Sequence, residues 1–298
     1  RRRNATALDR GLYYASKFTA QAAQNLLLAT LFVTAGTSSA AAIGISSIFV
    51  AILVPAILLG PMGGALVDRL GPARGLLLGA VLRLAPILAA IVILDGPTWA
   101  WAIAFAFSAG SQVFTPAEMA LVRTIQGENP GRAHSWLVAL QYAGQGAGML
   151  LLAPPLYMLG GAPAMLAGAA VGFVAVIAMA AVLLASLGTE SAPRPRTALD
   201  ALNLNATVRF LAGNLPATYA VAVLGFKTIV SRTVMVALPF YLARDIGMED
   251  GMLVYLLGPG IVGVGVGLIW SGRSLRAQSA HNVMRASLAG MVIAVFAL

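Results

Sequence analysis

Four polar residues near the start of the sequence, Lys17, Gln21, Gln24 and Asn25, stand at offsets of four, seven and eight from the first. A helix turns once in 3.6 residues, so these offsets place all four on one face. The amides of Gln21, Gln24 and Asn25 can line a cavity and meet a solute, or bond between helices. Lys17 has a stem long enough to snorkel toward an aqueous interface. A second stripe runs through Ser108, Ser111, Gln112, Thr115 and Glu118. Glu118 is the carboxylate set well inside an apolar run, and a carboxylate in a dry site can exchange a proton near neutral pH. A salt bridge to Arg123 or to loop cations is the competing expectation. Gln141 and Gln145 lie one turn apart, with Tyr142 beside them.

Three cations also fall inside apolar runs: Arg83, Lys227 and Arg232. Lys227 and Arg232 are five residues apart and do not share a helix face. Each asks for a carboxylate on another helix or for an anionic solute. Arg83 has Asp68 and Glu118 as candidate partners near its own end. Enzyme chemistry is not suggested by any cluster. The sequence has no Cys and two His, His134 and His281, which are too few for a metal or haem site. It also has no phosphate-cradling Gly loop. The expectation is a protein that is not an enzyme, with no metal and no cofactor.

The elements that must position these residues follow from composition. The chain has 298 residues, 59% hydrophobic and 10% charged. Soluble domains carry about 25% charged residues. So few charges cannot cover a water-facing surface, and the apolar runs are continuous, not alternating. A β-barrel is therefore excluded and an all-α integral membrane protein is implied. At about 20 residues per crossing, the expected spans are 16–36, 42–66, 76–94, 98–122, 134–158, 163–187, 216–241 and 251–270. A ninth begins near 283 and runs to the last residue, and the sequence opens on Arg1 and not Met. The expectation is a piece of a longer chain, lacking its C-terminal helices.

The connections are short except for 188–215, which is polar and contains Pro193 and Pro195. It divides 16–187, a six-helix bundle, from 216–298, the start of a second bundle, and 1–15 precede the first helix. Within it, 198–212 is either a short amphipathic helix on the membrane surface or an ordinary loop. Of the 19 Lys and Arg, three lie within spans, and Arg244 falls on one side of these crossings while the other fifteen fall on the opposite side. The positive-inside rule then makes the N-terminus cytoplasmic. The same distribution explains the net charge of +9 without a nucleic-acid partner.

The turn after the second span reads Gly60-Pro-Met-Gly-Gly64-Ala-Leu66-Val-Asp68-Arg69-Leu-Gly71-Pro72-Ala-Arg74. It resembles the signature loop of the major facilitator superfamily at Gly64, Leu66, Asp68, Arg69, Gly71 and Arg74. Pro72 stands where a basic residue is common. Phe114-Thr-Pro116-Ala117 through Leu121-Val122 resembles the end of the fourth helix in the drug-exporter branch. That branch's fifth-helix signature is present in part, at Gly144 and Pro154, with Ala153 in place of a Gly. After the eighth span, Gly258, Gly260, Gly263, Gly265 and Gly267 lead to Arg273 and Arg276 without an Asp, a degenerate repeat of the loop.

The resemblance implies two six-helix bundles around a cavity that opens alternately to either side. It implies a loop at Gly64, Asp68, Arg69, Gly71 and Arg74 that latches the halves in one conformation. It further implies a monomeric secondary transporter in the plasma membrane, a permease or antiporter exporting a small amphipathic molecule against protons or another ion. Membrane lipid and the transported molecule are then its partners. Two alternatives stand beside export: uptake or flipping of an anionic or lipid-like solute, and a sensor or scaffold that keeps the fold without transport.

Overall fold

The computed structural model describes residues 5–36, 41–93, 98–126, 130–188 and 204–244, with Asn282, Arg285, Ala286, Ala289 and Gly290. Among these residues the elements are helical: α1 (Ala7–Gly36), α2 (Ala41–Leu70), α3 (Pro72–Ile93), α4 (Thr98–Gln126), α5 (Pro130–Gly146), a π-helical turn (Ala147–Leu152), α6 (Ala153–Leu187), α7 (Leu204–Gly213) and α8 (Leu215–Arg244). The expected eighth and ninth spans, the glycine-rich repeat and His281 lie outside the described residues, the few near Asn282 apart.

The helix ends follow local chemistry. Thr6 and Asp9 form a capping box at the start of α1. The Asp9 N–H donates to the Thr6 hydroxyl oxygen at 3.2 Å, and Asp9 Oδ2 accepts from the Thr6 N–H at 2.7 Å. Thr6→Ala should cost about 1 kcal/mol, read as a small fall in the thermal midpoint with transport unchanged. Between α2 and α3 the chain turns on one residue. Gly71 has φ +85° and donates its N–H to the Val67 carbonyl at 2.9 Å. An L-side chain is strained there, and Pro72 then opens α3, where its missing N–H costs nothing.

The fifth and sixth crossings are joined almost without a loop. Pro154 and Pro155 have no N–H for the carbonyls one turn earlier. The ladder slips before them, and the Ala153 N–H reaches the Gly148 carbonyl across a π turn. α6 then breaks at Gly160 and Gly161, Gly161 having φ +64°. Its arms, 153–159 and 162–187, correspond to the expected boundary between 158 and 163. α7 covers part of the expected surface segment. Asn214 ends α7 and caps α8, accepting from the Ala217 N–H through Oδ1 at 3.2 Å.

α1 packs on α5, the π turn and α6, while α4 packs on α2 and α3, and α3 closes against α6. Small residues allow these approaches. A Cβ on Gly79 would lie 2.6 Å from the Phe114 backbone, and one on Gly148 would meet the Ala22 carbonyl oxygen. Two contacts pair a proline with a glycine on the facing helix. Pro116 frees the Gln112 carbonyl, and Gly63 of α2 abuts that oxygen. Pro86 frees the Leu82 carbonyl, and Gly110 of α4 lies against it. A side chain at either glycine would block the approach.

The core is split. One apolar cluster includes Leu26, Leu27, Ile48, Ile87, Phe107, Met165 and Phe173, and another includes Tyr13, Val67, Leu76, Phe114, Leu121, Val176 and Leu183. Between Ala80 and Ile87 on α3 comes Arg83, and between Phe107 and Val113 on α4 come Ser108, Ser111 and Gln112. The outside, by contrast, is apolar: Met158 is 87% exposed and Val92 85%. Ser47–Leu70, Pro72–Val92 and Trp136–Leu187 are long and apolar enough to cross a membrane, the last holding two crossings. Polar interior and apolar exterior suit lipid as the solvent. α1 and α4 are less apolar because they carry the two polar stripes.

Candidate functional site

The polar stripes converge on a cavity of about 350 Å³. Lys17, Gln21 and Gln24 reach it from α1, and Arg83 from α3. Ser108, Ser111, Gln112, Thr115 and Glu118 reach it from α4, and Gln141 and Gln145 from α5. Leu27, Leu28, Leu31, Ile52, Ala104, Phe107 and Met119 supply apolar wall. At 1.5 Å per residue, Lys17 lies about 15 Å along α1, Arg83 about 16 Å along α3, and Glu118 about 12 Å before the end of α4. Successive crossings alternate in direction, so these distances are measured from one end of the bundle. The three charges therefore share a level deep inside it.

Lys17 does not snorkel. It is 3% exposed, and its Nζ donates to Glu118 Oε2 at 2.6 Å. This salt bridge answers Glu118 from another helix rather than from Arg123, whose side chain is outside the described residues. A charge at this depth is costly alone, and the pair neutralises both members. Tyr13 locks the same position, donating its hydroxyl to the Glu118 backbone carbonyl at 2.9 Å. Tyr13 gave no signal as a polar-stripe residue, although it precedes Lys17 by one helical turn on the same face.

Arg83 is 3% exposed. Its Nε donates to Ser111 Oγ at 2.9 Å, and its guanidinium lies 4.1 Å from the Phe114 ring centroid. Neither Asp68 nor Glu118 bonds it. Its Nη1 is buried without a hydrogen-bond partner among the described residues, as is Gln24 Oε1. Ser111 passes the network on by donating to the Phe107 carbonyl at 2.9 Å, and Ser108 ties α4 to the Ile52 carbonyl of α2 at 2.6 Å. Gln112 donates to the Ser108 carbonyl at 2.9 Å.

Asn25 is not on the cavity wall. It turns back along its own helix and donates to the Gln21 carbonyl at 2.9 Å. The side chains of Lys227 and Arg232 on α8, and of His134, lie outside the described residues. In the signature loop, Asp68, Arg69 and Arg74 are exposed at the α2–α3 end, Arg74 about 14 Å along α3 from Arg83. Gly71 makes the turn. The close helix contact belongs to Gly63, whereas a Cβ on Gly64 would meet nothing within 4 Å.

A helical bundle with an apolar coat and a charged, solute-sized cavity at its centre is the build of a membrane carrier. The family model of the Major Facilitator Superfamily matches residues 12–298, and the chain belongs to that family. It is thus a major facilitator transporter. No curated protein matches it.

Proposed function

We propose that the protein exports a small amphipathic molecule by alternating access, with Glu118 as the site that couples movement to a proton gradient. The observation carrying this reading is the Lys17–Glu118 salt bridge on the cavity wall. In this reading Glu118 is paired with Lys17 in one state of the cycle, and in the other it carries the proton and leaves Lys17 to be met by the solute. Gln21, Gln24, Ser111, Gln112, Thr115, Gln141 and Gln145 then supply the adaptable polar contacts of the solute site. Lys227 and Arg232 on α8 would face it from the second bundle, which begins after the linker at 188–215.

In this reading the N-terminus is cytoplasmic, the membrane is the plasma membrane and the working unit is one chain in lipid. Gly64, Asp68, Arg69, Gly71 and Arg74 form the cytoplasmic latch. The test is Asp68→Asn in proteoliposomes, with efflux of a panel of small amphipathic dyes as the readout. Asp68 is exposed, so the variant should fold with a thermal midpoint unchanged within about 0.5 kcal/mol of stability. Efflux should fall by about tenfold or more, as expected when an interaction of the rate-determining conformation is lost. Equal efflux in the variant and the parent would overturn the latch. No efflux from the folded parent would favour the sensor or scaffold.

A further inference from the structure

Arg83 holds a donor that nothing among the described residues answers. Its guanidinium is a cation at neutral pH. It is 3% exposed, lines the cavity, and leaves Nη1 without an acceptor. Glu118, the carboxylate on the same wall, is held by Lys17 at 2.6 Å. The other carboxylates among the described residues are remote: Asp9 caps α1, and Asp68 is exposed at the end of α2. With Lys17 and Glu118 cancelling, the described cavity keeps one positive charge. A buried, open donor on a cation is costly until an anion meets it.

We infer that the cavity takes an organic anion, whose carboxylate, sulfonate or phosphate oxygen accepts from Arg83 Nη1. Its apolar body lies against Leu27, Leu31 and Phe107. Gln24 Oε1, the second unanswered atom, accepts from a hydroxyl or amine of the same solute. Ser111 and Phe114 already hold the guanidinium, so little side-chain freedom is lost when the anion arrives. The cavity's 350 Å³ suits a solute of one or two rings. This rests on the transport reading above and narrows its substrate to one charge class.

The test is equilibrium binding to the full-length protein in phosphatidylcholine nanodiscs, without any gradient. Three probes share one ring system: naphthalenesulfonate, neutral naphthalenesulfonamide, and naphthylmethyltrimethylammonium. The sulfonate should bind the parent about tenfold more tightly than the amide, and the ammonium most weakly. Arg83→Gln should abolish the sulfonate's advantage and leave the amide's affinity unchanged, while Arg83→Lys should keep part of it. If Arg83→Gln does not fold, the parent's order and the Lys variant decide. Preference for the ammonium, or an undiminished sulfonate advantage in folded Arg83→Gln, overturns the inference. A second arm uses phosphatidylglycerol nanodiscs. Unchanged sulfonate binding there supports a solute from water; its loss means a lipid headgroup occupies Arg83 and overturns that source. Failure of binding beside intact proton-driven flux rejects the anion class alone. Intact binding without flux rejects the coupling alone.

Discussion

Glu118→Gln should uncouple transport and destabilise the bundle together. The substitution removes the charge that Lys17 faces at 2.6 Å while both side chains are about 3% exposed. Removing one partner of a buried pair costs about 3–5 kcal/mol, because the remaining charge has no counterpart. The thermal midpoint should fall by roughly 10 °C, at the 2–4 °C per kcal/mol that suits a bundle of this size. Lys17→Met placed on top of Glu118→Gln removes the stranded cation and should recover most of that loss, since an apolar replacement of the whole pair is often neutral. Transport should not recover. Gradient-driven flux should stay about tenfold or more below the parent in both variants, because neither carries the proton site. A double variant that regains stability and flux together would reduce the pair to a structural role.

Two neighbouring glycines should give opposite outcomes. A Cβ at Gly63 would run into the Gln112 carbonyl, with the Gln112 Cβ 3.2 Å away as well. Both obstacles belong to α4 itself and cannot rotate aside, so α2 must move. Gly63→Ala should cost about 3 kcal/mol, at the upper end of ordinary overpacking, and Gly63→Leu should leave no monodisperse protein. Gly64→Ala meets nothing within 4 Å and should be neutral or stabilising by up to about 1 kcal/mol, from helix propensity. Thermal unfolding with size-exclusion profiles in detergent reads both. Equal sensitivity at the two positions would mean that α2 and α4 are not packed through Gly63.

These cases mark where the sequence was legible. Apolar runs of crossing length match the helices among the described residues, because lipid demands them regardless of partner. The spans ending at 158 and starting at 163 bracket the break at Gly160 and Gly161, which only glycine geometry allows so tightly. Residues of the two polar stripes do meet, since an inward face is the low-cost place for them. What periodicity could not supply was the partner. Lys17 and Glu118 are 101 residues apart, and their pairing follows from equal depth on α1 and α4, which depends on how those helices pack. Periodicity alone therefore points Lys17 to the interface, and Arg83 to a carboxylate instead of Ser111 and Phe114. Asn25 shared the α1 face but had a closer acceptor in its own helix. Gly63 and Gly64 are equivalent as letters, and only the rotation of α2 against the Pro116-opened carbonyl separates them.

The most direct measurement is naphthalenesulfonate flux in proteoliposomes holding the full-length protein, with and without an imposed pH gradient. Parent and the Lys17→Met, Glu118→Gln double variant should be compared after both are shown to be folded. The sulfonate stays ionised across the usable range and does not leak as a neutral acid. Coupling at Glu118 predicts that the gradient accelerates flux in the parent and has no effect in the double variant. Equal acceleration in both would contradict it and place the proton elsewhere in the chain.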